Sequence, residues 1–287
     1  MTTMTAIRPL PVRTRSAAPR PAAFNALRTL AARRFALSVR TPRELVVPLL
    51  TPVLFALVIA PALRDALGAT HGGVDYMSFV ALATVGLLIP LNTQFAGLSV
   101  IVDRLSGAQR ELLAAPVRRA LLVLGNLVVV VAITAVQLAV LVVLAAIRGA
   151  TFDITAAGLA WFVGAVLLFT IGMYGIAEAM ASRIGRQEEF ISATPAVAIV
   201  PWFFAGSLFP ISVLPGFLDV FAKFLPLTHA LAVVRYGLMG ARASGLTNIW
   251  GMSNPTAMAA LSLGVVAVFA VLGVTLAVRT FSKAAVH

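Results

Sequence analysis

Long apolar stretches alternate with short polar segments along this chain, and six of the stretches have the length of a membrane-crossing helix. A helix rises about 1.5 Å per residue, so about 20 apolar residues cross the roughly 30 Å hydrocarbon core of a bilayer. The pattern predicts an all-α polytopic membrane protein with six transmembrane helices. They are expected at about residues 44–62, 77–102, 120–147, 157–181, 190–209 and 256–278.

The composition supports lipid as the solvent of this chain and excludes several kinds of chemistry. Of 287 residues, 60% are hydrophobic and 11% are charged, which is more apolar surface than a soluble domain of this size can bury. The absence of cysteine excludes disulfides and thiolate chemistry, and the three histidines have no metal-ligand spacing. An integral-membrane enzyme would need clustered His, Asp or Glu at depth, so the sequence predicts no catalytic, cofactor or metal site.

The distribution of positive charge predicts the orientation of the spans. If both termini are cytoplasmic, the inner segments carry 17 of the 22 Lys and Arg residues. Short cytoplasmic loops of membrane proteins are enriched in Lys and Arg, so we expect cytoplasmic N and C termini. The net charge of +12 is then explained by membrane topology, and we expect no nucleic-acid partner. A signal peptide is an alternative, because Arg33-Arg34-Phe35 is similar to part of a twin-arginine signal, but five more spans follow.

The N-terminal region divides into a predicted disordered basic tail, residues 1–21, and the start of the transmembrane domain, residues 22–287. Residues 22–40 predict an amphipathic interfacial helix, with a charged tail as the alternative. Arg28 and Arg34 lie near its apolar stripe and are expected to snorkel to water. The stripe consists of Phe24, Leu27, Ala31, Phe35 and Val39, and Thr29, Arg33 and Arg40 lie opposite.

Thr41 and Glu44, with Pro42 between them, form a capping-box pattern that predicts a separate helix after residue 40. Pro48 and Pro52 each remove a backbone hydrogen bond, so we expect a kink or a water-lined face in the first span.

Residues 103–119 are the longest charged interruption between spans. Ser106 and Gln109 form a second capping-box pattern, and Pro116 ends the helix that would follow. The segment predicts a helix of about two turns on the cytoplasmic side, which either docks a partner or is an ordinary charged turn.

Polar residues inside the spans are candidates for a transport pathway, because each is costly unless it faces protein or water. A substrate-facing or dimer-facing surface and interhelical hydrogen bonding are both open for them. Glu178 is either a proton-relay acid or a satisfied interfacial carboxylate. The candidate pathway residues are Asn92, Thr93, Gln94, Phe95 and Gln137.

Two further patterns concern helix packing and the region before the last span. Small residues, Gly172, Gly175 and Ala179 with Gly264 and Gly273, are weak evidence for a dimer seam. Residues 206–227 contain too much Gly and Pro to cross the membrane, and their short apolar pieces predict helices that re-enter the outer leaflet. The alternative is an ordinary outer loop that exposes Phe217 and Phe221.

Two motifs resemble those of the ABC-2 type transporter permeases. Asp103-Arg104, Gly107, Leu112-Leu113 and Pro116 are similar to the cytoplasmic coupling segment of that family. The stretches 203–211 (FFAGSLFPI), 214–217 (LPGF) and 225–229 (LPLTH), with Arg235, are similar to its outer segment before the last span. The chain departs from the family at Arg110, where an acid is common, and at Ala108, where Thr is common; its acid, Glu111, lies one position later.

The resemblance implies the non-catalytic membrane subunit of an ATP-driven exporter. Two such permeases would pair as a homodimer or heterodimer above two ATPase subunits, which bind ATP and Mg. The only lysines, Lys223 and Lys283, follow no Gly-rich loop, which agrees with an ATPase on another chain. The resemblance implies ATPase coupling by Asp103, Arg104, Gly107, Glu111, Leu112, Leu113 and Pro116, and an outer re-entrant gate of Gly206, Phe209, Pro210, Leu214, Pro215, Phe217 and Arg235.

The cargo is the least determined feature. Apolar spans with few charges favour an amphipathic substrate such as a drug or antibiotic, and the 225–229 stretch also resembles the lipo-oligosaccharide exporters of the same family. The family resemblance leaves a polysaccharide as a further alternative. A proton-coupled secondary transporter that uses Glu178 is the alternative from another class, but such transporters often have two repeated halves, and no repeat is found. The Ala, Val and Arg bias suggests a bacterial source and its cell membrane.

Overall fold

The computed structural model describes residues 23–67, 70–71, 74–115, 117–240 and 246–284, and these ranges are almost entirely helical. The predicted tail, 1–21, and Pro116 lie outside the described residues. A sixth crossing is possible if the pair Gly216–Phe224 and Pro226–Met239, bent by 79°, is one span. The all-α polytopic membrane fold is confirmed. Five helices are long and apolar enough to cross a membrane: Leu45–Ala62, Tyr76–Leu105, Arg119–Ile147, Ala156–Arg183 and Pro255–Lys283.

The helices follow each other with short connections. In chain order they are α1 (Ala23–Arg40), α2 (Pro42–Leu54), α3 (Ala60–Leu67), α4 (Tyr76–Ala83), α5 (Val85–Leu105), α6 (Ala108–Ala114), α7 (Arg119–Ile147), α8 (Ala156–Arg183), α9 (Gln187–Phe204), α10 (Gly216–Phe224), α11 (Pro226–Met239), α12 (Thr247–Trp250) and α13 (Pro255–Ala284). A π-helical turn, Phe55–Ile59, joins α2 to α3, and a 3₁₀ turn, Ile211–Val213, precedes α10. Two-residue strands, β1 (Thr70–His71) and β2 (Val74–Asp75), pair antiparallel before α4.

The first two spans are interrupted where the sequence places proline. The π turn begins three residues after Pro52, and single-turn π segments are a recognised cause of helix bending. The second span breaks at Thr84 between α4 and α5, six residues before Pro90. The π turn interrupts the first span soon after its prolines, and the kink and the water-lined face stay predictions.

The predicted fifth span corresponds to α9, with different bounds. It starts three residues earlier than expected, because Glu188 and Glu189 lie in its first turn, where the helix dipole favours acidic side chains. It ends five residues earlier, just before a turn in which Gly206 adopts φ +74°. These acids lower its hydropathy, so α9 is not among the five clear membrane candidates, and its crossing of the bilayer stays a prediction.

The helix start at Pro42 with Thr41 as N-cap is confirmed, but neither predicted capping-box hydroxyl bonds an N–H of the helix that follows. The Thr41 hydroxyl donates to the carbonyl of Leu37 (3.1 Å), and the Ser106 hydroxyl donates to the carbonyl of Asp103 (3.2 Å). Each hydroxyl therefore bonds back to the preceding helix, which is the common competitor of an N-cap. The N-cap of α6 is instead Gly107, whose φ of +81° is accessible at little cost only to glycine.

α8 is the central helix of the bundle, and glycines fix its spacing from two neighbours. It packs most extensively on α13, then on α5 and α11. A Cβ on Gly273 would lie 2.6 Å from the carbonyl oxygen of Gly172, and a Cβ on Gly175 would overlap the backbone of Gly273. These glycines thus form a seam within one chain, which corrects their assignment to a dimer seam. Gly264 faces open space.

α1 packs on α7 through the face that contains Ala26, Arg34 and Ser38, which lies beside its apolar stripe. Leu30 contacts Gly125, while Phe24, Phe35 and Val39 are more than half exposed. Leu27 and Ala31 of the stripe are half-buried, and the interfacial position of α1 stays a prediction. Arg34 is only 6% exposed, so the expectation that it snorkels to water is wrong.

Candidate functional site

The end of α5 is tied to two other helices by the adjacent residues Asp103 and Arg104. Asp103 forms a salt bridge with Arg33 of α1 (3.7 Å). Arg104 donates to the carbonyls of Ala181 (3.1 Å) and Ile184 (2.5 Å), where α8 ends. Carbonyls at a helix C-terminus lack helical partners and carry partial negative charge, so a guanidinium is well suited to cap them. The pair therefore holds the base of α6 against α1 and α8.

α6 is a two-turn helix with distinct faces. Leu112 and Leu113 are half-buried and pack against the core cluster that contains Leu122 and Phe281. Arg110 and Glu111 are exposed on the same helix. The leucines thus attach α6 to the membrane domain, and the charged residues are the ones available to another protein. Gly107 supplies the turn that starts α6, and Pro116 lies outside the described residues.

A buried polar cluster lies beneath α6. The hydroxyl of Tyr174 is 2.8 Å from the carboxylate of Glu178, which is 1% exposed, and Arg34 is close enough to attract that carboxylate. A cavity of about 30 Å³ adjoins the cluster, which is room for roughly two water molecules. Glu178 therefore has a hydrogen-bond donor and a nearby cation inside the bundle, and its role as a proton-relay acid stays a prediction. The cavity is lined by Leu30, Arg33, Asp103, Gln109, Leu112 and Glu178, among others.

Sequence reasoning missed several residues of this cluster. Tyr174 and Glu178 have the i, i+4 spacing that places two side chains on one helix face, so their contact was visible in the sequence. The pairing of Arg33 with Asp103, and the approach of Arg34 to Glu178, join residues far apart along the chain. No local pattern marks these partners.

The candidate pathway residues are buried between helices of this chain. The Asn92 amide donates to the hydroxyl of Thr134 (2.5 Å), which joins α5 to α7. Gln137 donates to the carbonyl of Leu45 (2.7 Å), which joins α7 to α2. These two contacts are interhelical hydrogen bonds, one of the two alternatives left open by the sequence. The side-chain hydroxyl of Thr93 donates to the carbonyl of Pro90.

Gln94 and Phe95 complete that group and differ from the others. Gln94 is 1% exposed, and within the described residues neither its amide nitrogen nor its amide oxygen has a hydrogen-bond partner. Phe95 is half-buried. A buried amide without partners is unusual in native proteins and indicates a constraint beyond packing. Gln94 is therefore the strongest pathway candidate of the set.

At the opposite end of the bundle, Arg235 of α11 holds the turn that precedes α10. Its guanidinium donates to the carbonyls of Gly206 (2.8 Å), Ser207 (3.0 Å) and Phe79 (3.3 Å). Its Cζ also lies 3.4 Å from the centroid of the Phe79 ring, a cation–π contact. The side chain is 3% exposed, so this cation is a structural anchor for the 206–209 turn.

The other predicted gate residues shape the segment that this anchor holds. Pro210 precedes the 3₁₀ turn, Leu214 ends it, and Pro215 is the N-cap of α10. Phe209 and Phe217 are 41% and 75% exposed. α10 and α11 then meet at a 79° bend, as a broken span or a re-entrant segment would.

His229 fixes the bend from the α11 side. Its Nε2 is 2.9 Å from the carbonyl of Lys223, so Nε2 donates and Nδ1 accepts from the hydroxyl of Ser262 (3.2 Å). The Trp250 indole donates to the same hydroxyl (2.8 Å). The bend is thereby connected to both α12 and α13.

Asp75 closes the same end of the bundle as the N-cap of α4. It accepts from the backbone N–H groups of Met77 (3.3 Å) and Ser78 (3.2 Å), and the Ser78 hydroxyl bonds the carboxylate as well. Partial burial alone would raise the pKa of Asp75, but these hydrogen bonds, with Thr151, outweigh it and lower the pKa below its ordinary value. The loop after α7 is thus linked to the start of α4.

The fold and these sites define a multi-pass membrane transport protein with a short projecting helix at one end and a bent helix pair at the other. The model of the family described as ABC-2 type transporter matches residues 25–239, from α1 to the end of α11. The chain belongs to the ABC-2 type transporter family and is a transmembrane subunit of an ABC transporter, which implies an ATPase partner. The comparison with curated proteins gave no match.

Proposed function

We propose that this chain is the permease subunit of an ATP-driven exporter and that α6 receives the force of a separate ATPase. The observation that carries the proposal is the division of α6 into two faces. Leu112 and Leu113 attach it to the membrane core, and Arg110 and Glu111 remain exposed. A rigidly attached helix with a free charged face is suited to pass on displacement from a partner.

Hydrolysis belongs to the partner in this proposal, and ATP and Mg bind there. The sequence supports this, because neither of its two lysines follows a Gly-rich phosphate loop. Two permeases, identical or different, pair above two ATPase subunits. The chain lies in a bacterial cell membrane with both termini cytoplasmic, an orientation supported by the 17 of 22 Lys and Arg residues on the inner side.

The bent pair α10–α11 forms the outer gate in this proposal. Phe217 and Phe224 are 75% and 79% exposed on it, and such apolar side chains need lipid or a second permease as cover. Arg235 anchors the preceding turn from inside. A re-entrant gate explains both the exposed aromatic face and the buried anchor.

The cargo we propose is an amphipathic compound such as a drug or antibiotic. Within the described residues the polar groups inside the spans are mostly uncharged, which suits a membrane-partitioning substrate better than a highly charged one. A lipo-oligosaccharide is the second candidate, favoured by the resemblance of residues 225–229, and the family as a whole also includes polysaccharide exporters. Growth inhibition by a panel of amphipathic antibiotics, with and without the transporter, separates the two, because glycolipid export would instead change the surface glycolipids of the cell.

The coupling role is tested by charge reversal on the exposed face of α6. Glu111→Lys should leave membrane insertion unchanged and weaken the complex with the ATPase, seen as loss of a roughly 2:2 assembly in native mass spectrometry and as hydrolysis no longer stimulated by cargo. Asp153→Lys is the matched control, since Asp153 is exposed at the other end of α7. Equal assembly and transport by both variants would remove the coupling assignment.

The same experiment separates this proposal from proton-coupled transport through Glu178. In the exporter, Glu178→Gln retains the hydrogen bond with Tyr174 and should leave ATP-dependent transport largely intact. A secondary transporter would lose transport with that change and would be indifferent to the ATPase. Transport that follows a proton gradient without ATP would overturn the proposal.

A further inference from the structure

The second span consists of two helices, α4 and α5, that are held by different parts of the protein. α4 is bound to the 206–209 turn, because the Tyr76 hydroxyl donates to the carbonyl of Leu208 (2.7 Å). Arg235, which holds the same turn, also contacts the ring and the carbonyl of Phe79 in α4. α5 packs mainly on α8 and α9. A change of angle between the two helices would therefore move the turn relative to the rest of the bundle.

The break between α4 and α5 lies at Thr84 and redirects the backbone hydrogen bonds of the helix. The N–H of Leu87 donates to the carbonyl of Thr84 (3.1 Å), whereas a regular α-helix would direct it to Ala83. The carbonyl of Ala83 instead accepts from the indole of Trp202 (2.8 Å). The Thr84 hydroxyl donates to the carbonyl of Ala81 (2.6 Å). A bare carbonyl is costly inside a membrane domain, so these two side chains stabilise the break.

Trp202 contacts irregular points of three elements. It is 1% exposed and lies three residues before Ala205, the C-cap of α9, after which the 206–209 turn follows. Its ring meets the ring of Phe55 edge-on, with centroids 5.1 Å apart, and Phe55 is the first residue of the π turn in the first span. Its N–H closes the break in the second span. One side chain thus joins the end of α9 to the interruptions of both spans.

We propose that the second span has a hinge at Thr84 and that the hydrogen bond from Trp202 to Ala83 is the latch that holds this hinge closed. With the bond made, α4 and the 206–209 turn keep a fixed position relative to α5. When the bond breaks, α4 moves together with the turn and opens access to its buried side. One neutral hydrogen bond shifts such an equilibrium by only a few-fold, so the latch can open reversibly. The hinge requires neither ATPase nor cargo, and its use in opening the outer gate rests on the proposed function.

Two cysteine reporters distinguish motion at the hinge from general loosening. Ser207 is completely buried in the turn, its hydroxyl has no partner within the described residues, and the chain has no cysteine of its own. Ser207→Cys is purified as the full-length chain in nanodiscs, and the rate of its modification by a maleimide is measured. A buried thiol reacts only while the structure is open, so the rate follows the open population. Ser99→Cys reports on α5, where Ser99 is 6% exposed.

Two replacements at position 202 remove the latch. Trp202→Phe removes the indole donor with part of the ring, and Trp202→3-benzothienylalanine keeps the shape of the indole and lacks only its N–H. Each should raise the modification rate of Ser207→Cys about threefold to tenfold and leave that of Ser99→Cys unchanged. The same isostere at Trp161, which is half-buried and packs edge-on against Tyr236, is the control and should change neither rate.

Each outcome decides the proposal. A rise at Ser207→Cys alone, absent from the Trp161 control, supports the hinge and its latch. An unchanged rate at Ser207→Cys with the isostere at position 202 overturns the proposal, even where Trp202→Phe fails to fold. Equal rises at both reporters mean that the whole bundle loosens, which overturns it as well. The rates are measured without ATPase or cargo, so a failure here is separate from a failure of the proposed function.

Discussion

The seam between α8 and α13 makes a sharp stability prediction, because glycine is required there by contact distance. A Cβ added at Gly175 would lie 2.6 Å from the Cα of Gly273 and closer still to its carbonyl group, whereas an ordinary contact needs at least 3.4 Å. The obstructing atoms are backbone, which cannot rotate away. Gly175→Ala therefore forces the two helices apart by about 1 Å.

The magnitude follows from the packing that is lost. A gap of 0.5–1 Å forfeits roughly a quarter to a half of each contact, worth about 0.1–0.2 kcal/mol per atom pair. For roughly 40 pairs, the number that one buried Leu makes, the loss is about 1–4 kcal/mol. Alanine regains up to about 1 kcal/mol of helix propensity. The difference leaves an expected net destabilisation of about 0–3 kcal/mol for Gly175→Ala.

Gly264→Ala provides the comparison, because a Cβ at Gly264 meets nothing within 4 Å and the substitution retains only the propensity gain. Both variants are purified in the same detergent, and unfolding is followed during a titration with a denaturing detergent. We expect Gly175→Ala to unfold at a lower midpoint than the parent and Gly264→Ala at an equal or higher one. Equal midpoints for the two variants would refute the steric reasoning.

Three further substitutions test the other contacts. Arg104→Gln removes two charge-assisted hydrogen bonds to the end of α8 and should lower the free energy of unfolding by about 1–3 kcal/mol in the same titration. Arg104→Lys should retain only part of that stability, because lysine lacks the planar guanidinium that bonds two carbonyls at once. Leu112→Asp should destabilise the membrane domain itself, whereas Glu111→Lys should not; equal midpoints would contradict the two-faced α6. Asp75→Asn should lower Tm at pH 7, and the difference in Tm between the parent and the variant should shrink in acid. The pKa of Asp75 is lower in the folded state than in the unfolded chain. The stabilisation by its carboxylate is therefore present above the ordinary carboxyl pKa and is lost as pH falls through the folded-state pKa. A difference that is constant from neutral pH to acid would contradict that assignment.

The spans were predictable because their signal is local. A run of about 20 apolar residues indicates a helix that lies in lipid. Hydropathy therefore predicted the first residues of α7, α8 and α13 to within about two positions. The end of α13 extends further, because Phe281 packs into the core beyond the apolar run. Hydropathy did not predict the first turn of α9, because Glu188 and Glu189 are polar and were assigned to a loop. Acidic residues are nevertheless favourable at a helix N-terminus.

The remaining features depend on partners that the local pattern does not contain. The hydroxyls of Thr41 and Ser106 could either accept from an N–H of the following helix or donate to a carbonyl of the preceding one, and in the structure both donate to the preceding helix. Arg34 was expected in water because its attraction to Glu178, far along the chain, has no sequence signature. The small residues of α8 predicted close packing correctly but not which helix would pack there.

α8 connects the proposed coupling site to the proposed outer gate through contacts at both of its ends. At one end Arg104 bonds the carbonyls of Ala181 and Ile184, which ties α8 to the base of α6. At the other end a Cβ on Gly237 of α11 would lie only 2.6 Å from the carbonyl of Gly158, so α8 and α11 touch backbone to backbone. α11 carries Arg235, the anchor of the gate segment. Gly158 and Ala181 are 23 residues apart, so a continuous helix separates these contacts by about 35 Å. Close-packed backbones cannot slide past each other without separating, so a displacement of α6 that moves α8 must also move or strain the helix that holds the gate.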